Sequence, residues 1–516
     1  MKSRQVRQPI LVLAWCLSLL FALHPDLSAQ KVKSIEIMNA DLTAYDIKIG
    51  KDARKLIGDV QLKHEDILMS CDSAYFYPST GSVDAFSRVK IVQADTLTLT
   101  GDVVYYNGNT KIARVRHNVR LVNKDITLVT DSMNYNRETR IADYLGGGVL
   151  TESDNRLTSR RGRFFVDDEI FFFMDSVVIT NPDYEIRTDS LKYDTETEIA
   201  YFSGPTTILN EERYIYCENG WYDTQKDISY VTEKAFLQEE GRTLRGDTLY
   251  YEQEAGYGWA RSRVELIDTA QNLTLKGNYG LYYSDNDYAM VTDSALMIQV
   301  EEADTMYVHA DTLRSMQNPD LLEESRILRA YNHVKIFRPD MQVMCDSLVY
   351  VEADSLFTFL GEPVLWSDEN QLTAELIRVV MHEQQLHRMY LDGISLVVTR
   401  KDSVKYDQMR GKQMIGHFHD NKLSVIEVTG NGQTIYYAED QGEIVGANKT
   451  ICSDLTIYLK DNKISKVSYL KKPDGKYYPL ELFPSEERLL SDFKWVGEWR
   501  PLVWQDVFWW KEKKGL

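Results

Sequence analysis

Acidic side chains that return at a regular interval are the first candidates for chemistry in this 516-residue sequence. A motif of Asp, Ser or Thr, an apolar residue, any residue and an aromatic residue begins at Asp72, Asp131, Asp189, Asp247 and Asp346. Looser copies begin at Asp102, Glu218, Asn278, Asp311 and Asp454. General acid–base catalysis by carboxylates needs two of them close together, whereas each copy supplies one. The spacing favours a repeated turn or outer edge, so we predict no catalytic residue and no enzyme activity.

The sequence "HEQQLH", from His382 to His387, comes nearest to a metal-binding motif. Its histidines lie five residues apart, whereas the zinc-protease motif places them four apart on one face of a helix. His417 and His419 would share a strand face, yet no third ligand lies near them in the sequence. "DNDY" at Asp285 lacks the spacing of a calcium loop. We therefore predict no metal site and no cofactor.

Three arginines, Arg160, Arg161 and Arg163, form the densest basic run of an acidic chain. Guanidinium groups bind phosphate oxygens in a fork, so these residues are candidate phosphate contacts. The alternative is an exposed strand edge that is protected from pairing by its charge.

A repeat of about 30 residues must position all of these side chains. Anchors between Asp72 and Asp311 follow one another at that interval, apart from one 58-residue step from Asp131 to Asp189 that spans a degenerate copy. Such a period indicates units that bury their apolar faces only by stacking on their neighbours. Each copy of the motif is therefore predicted to contribute one layer of the fold.

Within a copy the apolar residues alternate with a period of two, which is typical of β-strands. The second and fourth residues after the anchor share a strand face, and the best such pairs are Met133 and Tyr135, Leu191 and Tyr193, Leu249 and Tyr251, and Leu348 and Tyr350. Gly147, Gly204 and Gly361 follow their anchors by 15 or 16 residues and predict a bulge or bend. Each copy is interpreted as two or three short strands joined by tight turns.

Charge and cysteine content narrow the classes of function. The formal net charge is −19, which argues against a nucleic-acid partner. Cys71, Cys217, Cys345 and Cys452 lie far apart, and three of them directly precede an anchor. We interpret them as small residues at the starts of strands rather than as a disulfide framework.

The first 29 residues have the layout of a secretory signal peptide. Lys2, Arg4 and Arg7 precede an apolar stretch, and small residues precede Gln30. Cys16 lies within the apolar stretch behind a bulky tryptophan, so we expect export without a lipid anchor. No later stretch has the ~20 consecutive apolar residues that a membrane-spanning helix needs. Removal of three basic residues and one acidic residue would change the net charge from −19 to −21.

Tandem copies of D-S-L-x-Y, the export signal and the phrases "GDVQL" at Gly58 and "GDVVYY" at Gly101 together resemble the OstA-like family. This family includes the periplasmic bridge protein of lipopolysaccharide transport and the N-terminal domain of its outer-membrane partner. The resemblance implies an all-β, elongated, V-shaped β-jellyroll of tandem repeats, in which two antiparallel sheets enclose lipid acyl chains. It is good from Val32 to Leu313, weaker to Tyr458 and absent from the tail.

The resemblance suggests four segments: a signal peptide (1–29), OstA-like repeats (30–315), more divergent β repeats (316–480) and a tail (481–516). It implies a non-enzymatic protein of the periplasm or outer membrane that binds lipopolysaccharide or a lipid A-like lipid. The four pairs of inward residues would then line a lipid groove, and the three arginines would contact lipid phosphates. Edge strands would pair with other jellyroll proteins of the transport system.

Two other functions stay open. The first is a structural or adhesive β-solenoid whose interior is filled by its own side chains. The second is an enzyme acting on envelope glycans, for which no pair of carboxylates stands out.

The tail contains five of the nine tryptophans, Trp495, Trp499, Trp504, Trp509 and Trp510, beside the segment "KEKK". This composition suggests an interfacial anchor or a plug that docks on an outer-membrane partner, and a simple cap over the last layer is the alternative. Because the tryptophans share no register with the repeat, we expect a chain truncated after Leu480 to stay folded.

Overall fold

The regular elements of this chain follow from the period-two alternation, which is interrupted once near the middle of most runs. The computed structural model describes residues 34–45, 48–93, 97–211, 213–239, 241–283, 288–300, 304–318, 325–382, 385–420, 422–460 and 463–510. The predicted signal peptide, its cleavage point before Gln30 and the segment "KEKK" lie outside these residues. Every regular element within them is a β-strand or a short 3-10 turn, so the predicted all-β class is confirmed.

The chain divides into two compact units, Met1–Ser153 and Asp154–Leu516. The strands of the first unit are β1 (Glu36–Asn39), β2 (Leu42–Tyr45), β3 (Arg54–His64), β4 (Ile67–Tyr77), β5 (Ser82–Gln93), β6 (Leu97–Asn107), β7 (Ile112–Asn123), β8 (Ile126–Asn136) and β9 (Ile141–Glu152). From β3 to β9 each strand pairs antiparallel with the next, and β1 and β2 both pair with β3.

The second unit continues the same antiparallel order with some strands split in two. Its first strands are β10 (Asn155–Phe165), β11 (Ile170–Thr180), β12 (Glu185–Asp194), β13 (Ile199–Leu209), β14 (Arg213–Asp223), β15 (Ile228–Thr232), β16 (Phe236–Glu239), β17 (Arg242–Arg245), β18 (Thr248–Glu252), β19 (Tyr257–Asp268), β20 (Leu273–Tyr283), β21 (Tyr288–Val300) and β22 (Thr305–Gln317).

The remaining strands include the longest of the described chain. They are β23 (Arg326–Arg338), β24 (Met341–Val351), β25 (Leu356–Leu360), β26 (Val364–Ser367), β27 (Asn370–Thr373), β28 (Leu376–His382), β29 (Gln385–Arg400), β30 (Tyr406–His419), β31 (Lys422–Asp440), β32 (Glu443–Lys460), β33 (Lys463–Leu470) and β34 (Asp474–Pro479). Four 3-10 turns follow, at Leu480–Leu482, Ser485–Glu487, Gly497–Trp499 and Trp504–Phe508.

A bend near the middle of the strands divides each layer into two halves. On β4 the buried residues are Ile67, Met69 and Cys71 before the bend and Ala74 and Phe76 after it, so the alternation changes phase there. Register shifts at the same level occur in every strand pair from β3–β4 to β8–β9. The bend therefore keeps one apolar face inside along the whole strand.

Two consecutive residues with positive φ turn the chain at the bends of β3, β5, β7 and β9. These pairs are Gly58 and Asp59, Ser87 and Arg88, His117 and Asn118, and Gly146 and Gly147. The glycines predicted to mark a bend do so, since Gly147, Gly204 and Gly361 all have positive φ at this level. At Gly361 a Cβ atom would lie 2.4 Å from the Cβ of Asp346, so a larger residue would force the strands apart.

The two halves of the bent strands face each other across the core. His64 ends β3 and Tyr106 lies near the end of β6, three strands away, which is ~14 Å in a flat sheet. Yet the His64 ring nitrogen Nδ1 lies 2.7 Å from the Tyr106 hydroxyl. Only opposed halves bring these side chains together, and the space between them is filled by fully buried residues such as Leu56, Val60 and Leu121.

Two sequence expectations are corrected by this geometry. The strands of a copy are not short, because each interval of about 30 residues in the first unit holds two strands of 11 or 12 residues that run through the bend. The cysteines do not lie at the starts of strands, because Cys71, Cys217, Cys345 and Cys452 are in strand interiors next to the bends. All four are free and buried.

Candidate functional site

The anchor carboxylates lie at the bends, and several of them are bonded to the neighbouring strand. Asp72 accepts hydrogen bonds from the Ser87 hydroxyl at 2.5 Å and from Nη2 of Arg88 at 2.7 Å. These donors hold the pKa of the Asp72 carboxyl below its ordinary value. Glu218 pairs with Lys234 in the same way. Each of these carboxylates thus has its own donor on the adjacent strand. This arrangement indicates a structural role at the bend and not a catalytic pair.

The side opposite the bends, which we call the mouth, contains an apolar cavity in the first unit. Its lining consists of Ile35, Leu62, Ile67, Met69, Val83, Ile91, Tyr106, Ala113 and Tyr135, with Lys63, His64, Lys111 and Arg137 among the polar members. The cavity volume is about 20 Å³, which is room for one or two water molecules. An acyl chain can enter only if the facing halves separate.

Hydrogen bonds between the facing halves close this mouth. The His64–Tyr106 contact is followed one repeat later by a bond of 2.8 Å from the Tyr135 hydroxyl to Oε1 of Gln93. His64, Gln93, Tyr106 and Tyr135 are all buried. Buried polar groups depend on such partners, because an unpaired one costs about 1–3 kcal/mol.

Arg137 lies at the rim of the cavity, in the turn after β8. Its Nη2 contacts Oε2 of Glu65 at 2.5 Å and also Oδ1 of Asp66. Burial by itself would lower the pKa of the guanidinium, but the hydrogen bonds to these carboxylates outweigh it and raise the pKa. The side chain is 9% exposed, and its Nη1 is buried without a hydrogen-bond partner. A buried donor is therefore available at the cavity.

The same guanidinium influences the phenol beside it. Burial raises the pKa of Tyr106, and the nearby charge of Arg137 opposes that rise. Lys111 lies further out and pairs loosely with Glu138 at 3.6 Å. The rim of the cavity thus combines the buried guanidinium of Arg137 with the more exposed pair of Lys111 and Glu138, and the cavity lining below it is apolar.

The predicted groove residues lie in the strand halves between bend and mouth. Met133, Tyr135, Leu191, Tyr193, Leu249 and Leu348 are buried, and Tyr251 and Tyr350 are half-buried. Of these eight, Tyr135 lines the cavity at the mouth of the first unit. Tyr251 lies under the guanidinium of Arg213 at 4.7 Å, and Tyr350 stacks on Phe357 at 4.2 Å.

The three predicted phosphate contacts do not form one cluster. Arg161 bonds to Asp175 at a bend, with Nε 2.5 Å from the carboxylate, and this raises the pKa of the guanidinium. Arg160 is exposed within the same bend, at the register shift between β10 and β11. Arg163 is exposed further along β10, where it faces Phe172 of β11.

The tail packs on the strands of the second unit. Trp499 and Trp510 contact a buried cluster that contains Met344, Trp366 and Val496. Trp504 stacks on Tyr307 at 5.2 Å, and Trp495 contacts Tyr406 at 5.4 Å. Lys335 donates from Nζ to the carbonyl of Trp499 at 3.0 Å, and Arg500 donates to Gln342 at 2.6 Å. These contacts are the ones expected of a tail that covers the strands of the second unit as a cap.

Sequence reasoning missed the polar residues of the mouth. Arg137 belongs to the polar segment "NRET", which has the composition of an ordinary turn, and His64 and Gln93 are single polar residues at the ends of β3 and β5. The only signal was that His64 and Gln93 are polar residues at inward positions, separated by about one repeat. Such a departure from the apolar pattern often marks a buried polar contact.

In the described ranges no three His, Cys, Asp or Glu side chains are grouped as metal ligands would be. Nor do these ranges contain a helix with the length and apolar character needed to cross a membrane.

A comparison with known protein families gives a match to part of the chain. The family model described as "OstA-like protein" matches residues 32–189, which extend from before β1 into β12. The resemblance to this family that the motifs predicted is confirmed over that range. A search of the curated proteins found no match.

Proposed function

We propose, from the match of residues 32–189 to the OstA-like family model, that this chain is a non-enzymatic periplasmic protein of lipopolysaccharide transport that shields acyl chains. The observation that carries the proposal is the apolar cavity at the mouth of the first unit, with the free donor of Arg137 at its rim. A lipid with acyl chains and phosphate groups needs both features, since its chains avoid water and its phosphates bind guanidinium groups.

The energy of shielding sets what the protein must provide. Exposure of a methylene group to water costs about 0.8 kcal/mol, so a 14-carbon chain costs on the order of 10 kcal/mol. A protected path for such a chain must therefore be continuous and apolar. The inward residues of successive strands, such as Leu62, Met69 and Ile91, provide a continuous surface of this kind.

Entry of a chain requires the mouth to open. Because the cavity holds about 20 Å³, the halves must separate and break bonds such as His64–Tyr106 and Tyr135–Gln93. The energy gained from acyl burial exceeds the net ~0.5–1.5 kcal/mol of each such bond. We propose that the lipid replaces contacts between opposed side chains. Met133 and Tyr135 would then line a path in the first unit, and Leu191, Leu249 and Leu348 with their tyrosines would line one in the second.

The phosphate contacts are assigned by the same reasoning. Arg137 has its free Nη1 at the cavity, whereas Arg161 is already engaged by Asp175. We propose Arg137 as the main phosphate contact, and Arg160 and Arg163 as secondary ones on the exposed strand β10.

Photo-crosslinking tests this function with a matched pair of positions. Met69 is buried and lines the cavity, and its neighbour Leu68 is 50% exposed on the opposite face of β4. A photoreactive amino acid is placed at one or the other position, and the protein is incubated with hexa-acylated lipopolysaccharide. We expect labelling at Met69 and none at Leu68.

The Arg137→Gln variant tests the headgroup contact separately. It should weaken binding of phosphorylated lipid A by about tenfold relative to binding of dephosphorylated lipid A, in keeping with a charge-assisted bond. In the photo-crosslinking experiment, equal labelling at Met69 and Leu68 would show that lipid only touches the protein surface. That result would contradict the proposal.

A second function is favoured by the packing of the interior. The opposed side chains meet across the core and leave a cavity of about 20 Å³, as expected for a structural β-array that fills its own interior. Native mass spectrometry after gentle extraction from cells separates the two functions. Bound lipid on the intact chain supports shielding, and a lipid-free chain supports the structural array.

The tail suggests how the protein is directed to a membrane or an outer-membrane partner. Leu502, Val503, Phe508 and Trp509 are 40–63% exposed around the last 3-10 turn. An exposed cluster of large apolar residues is typical of an interface. We propose that this cluster contacts the outer membrane or a protein within it.

A further inference from the structure

A row of aromatic residues crosses the outer face of the second unit. Tyr201, Trp221, Tyr230, Tyr250 and Trp259 are successive cross-strand partners on β13, β14, β15, β18 and β19. With strands ~4.8 Å apart, the row extends over ~19 Å. We call these five residues the aromatic row.

The aromatic row faces away from the core. The residue that follows each of the first three on its strand, Phe202, Tyr222 or Val231, is buried on the inner face. Leu249 and Ala260, beside Tyr250 and Trp259, are buried as well. Successive side chains of a strand point to opposite faces, so the aromatic row is on the solvent side.

The rings of the row are ordered by contact with one another. Trp221 and Tyr230 are within 13° of parallel at 5.9 Å, and Tyr250 and Trp259 are within 11° at 5.6 Å. The Tyr250 hydroxyl donates to Glu252 at 3.3 Å. These contacts hold the rings in place before any ligand arrives, so little side-chain entropy is lost on binding.

A second row of hydrogen-bonding side chains runs beside the first. Ser203, Asn219, Thr232, Thr248 and Arg261 are also successive cross-strand partners, each two residues from its aromatic neighbour. That separation is ~7 Å along the strand. We call these residues the polar row.

Members of the polar row have bonding capacity left over. Ser203, Asn219 and Arg261 are exposed. Within the described residues, Arg261 makes no ion pair, and its guanidinium lies 4.7 Å from the ring of Trp259. The Thr232 hydroxyl donates to the backbone carbonyl of Asn219 at 3.3 Å, which leaves its oxygen free to accept. The surface thus offers donors and acceptors alongside aromatic rings.

This combination fits one class of ligand. A sugar ring has an apolar side of C–H groups that packs on aromatic rings and a rim of hydroxyls that needs both donors and acceptors. A bilayer surface would require a continuous apolar face, which the polar row interrupts. Nucleic acid is disfavoured by the net charge of −19. We propose that the aromatic and polar rows together bind an extended saccharide chain, a function that does not depend on acyl binding.

The double variant Trp221→Ala with Trp259→Ala tests the site. The probes are a panel of neutral hexasaccharides and the lipid-free core oligosaccharide released from lipopolysaccharide by mild acid. Binding is measured by saturation-transfer NMR and isothermal titration on the full chain. We expect at least one saccharide to bind, and the double variant to weaken its binding by about tenfold or more.

Tyr105→Ala is the control, because Tyr105 is 44% exposed on the outer face of the first unit and lies outside the row. It should leave saccharide binding unchanged. Thermal unfolding of each variant separates loss of binding from loss of fold, and Asn219→Ala provides a milder probe of the polar row. The proposal is overturned if no saccharide of the panel binds, or if binding survives in a folded double variant. Self-association of the chain that the double variant abolishes would overturn it too, because the rows would then be an interface between copies.

Discussion

The side-chain amide of Gln408 holds the backbone at Leu490 in the same way that Gln371 holds it at Val496. Each amide oxygen accepts the backbone N–H of its partner at 2.8 Å. Each amide nitrogen donates to the carbonyl two residues earlier, at 2.8 Å to Arg488 and 2.7 Å to Lys494. Both glutamines are at most 2% exposed. Two side chains thus replace a pairing strand along the tail.

We predict that Gln371→Leu destabilises the protein by about 2–4 kcal/mol. The variant leaves the buried N–H of Val496 and the part-buried carbonyl of Lys494 without these partners, and an unpaired buried group costs about 1–3 kcal/mol. Gln385→Leu, on an exposed residue of β29, should change the free energy of unfolding little. Urea unfolding followed by tryptophan fluorescence measures both. Equal stabilities for the two variants would contradict this account of the tail.

Truncation after Leu480 is now expected to destabilise the second unit, in contrast to the expectation from sequence. The truncation removes the tail carbonyls that accept hydrogen bonds from the buried side chains Gln371, Gln408 and Lys335. It also uncovers the cluster around Trp366. Limited proteolysis should cleave the truncated chain faster than the full chain within β22–β31. A truncated chain as resistant as the full one would restore the earlier expectation.

Replacement of Leu191 by Asp should destabilise strongly, by about 3–5 kcal/mol, because a carboxylate would be buried without a partner. Leu191 is 2% exposed, whereas Lys192 lies on the outer face, with its ammonium 5.0 Å from the ring of Tyr201. Lys192→Asp should therefore cost less than about 1 kcal/mol. The midpoints of thermal unfolding compare the two variants, and similar losses would place the strand in another register.

Acid should weaken the mouth of the first unit. The hydrogen bond from Arg137 lowers the pKa of Glu65 below its ordinary 4.5, and bonds from Gln93 and Arg137 outweigh burial to lower that of Asp66 below 3.8. Because these carboxyls titrate lower in the folded state, their contribution is complete above the unfolded values and is lost as the pH falls through the folded ones. Thermal stability should therefore fall below about pH 4.

The Arg137→Gln variant should lose part of this acid dependence, since its carboxyls would titrate nearer their ordinary values. Arg114→Gln, at an exposed position of β7, is the matched control and should keep the dependence of the native chain. Thermal unfolding between pH 3 and pH 7 compares the three proteins. Parallel curves for all three would mean that Arg137 does not stabilise the mouth.

Edge-strand pairing should occur through β1 and β2, which flank β3 on its outer side. Their residues Met38, Leu42 and Tyr45 are 55–71% exposed, and exposed strands of this kind accept a further strand. Photocrosslinkers at Met38 should capture another jellyroll protein of the transport system. Thr207, within β13, is the control position and should capture none, and adducts only at Thr207 would exclude pairing at this edge.

The periodic part of the fold was predictable because each copy repeats the same local chemistry. The alternation around Leu191 identified the buried face, and Gly361 identified the bend through its need for positive φ. The contacts at the mouth were not predictable, since His64 and Tyr106 are 42 residues apart and meet only when the halves face each other. The path of the tail depends on Gln371 and Gln408, whose side chains carry no periodic signal.

The order of strand pairing has a consequence for folding kinetics. Between β3 and β9 every strand pairs with the next one along the chain, so the contacts are local in sequence and each new hairpin can add to a finished one. The bonds of the tail are different, because Gln371 reaches Lys494 across 123 residues. Loop closure of that length is slow to nucleate. We therefore expect the first unit to fold while the ribosome is still synthesising the chain. The second unit is complete only when the tail has docked, and until then it is more exposed to proteases.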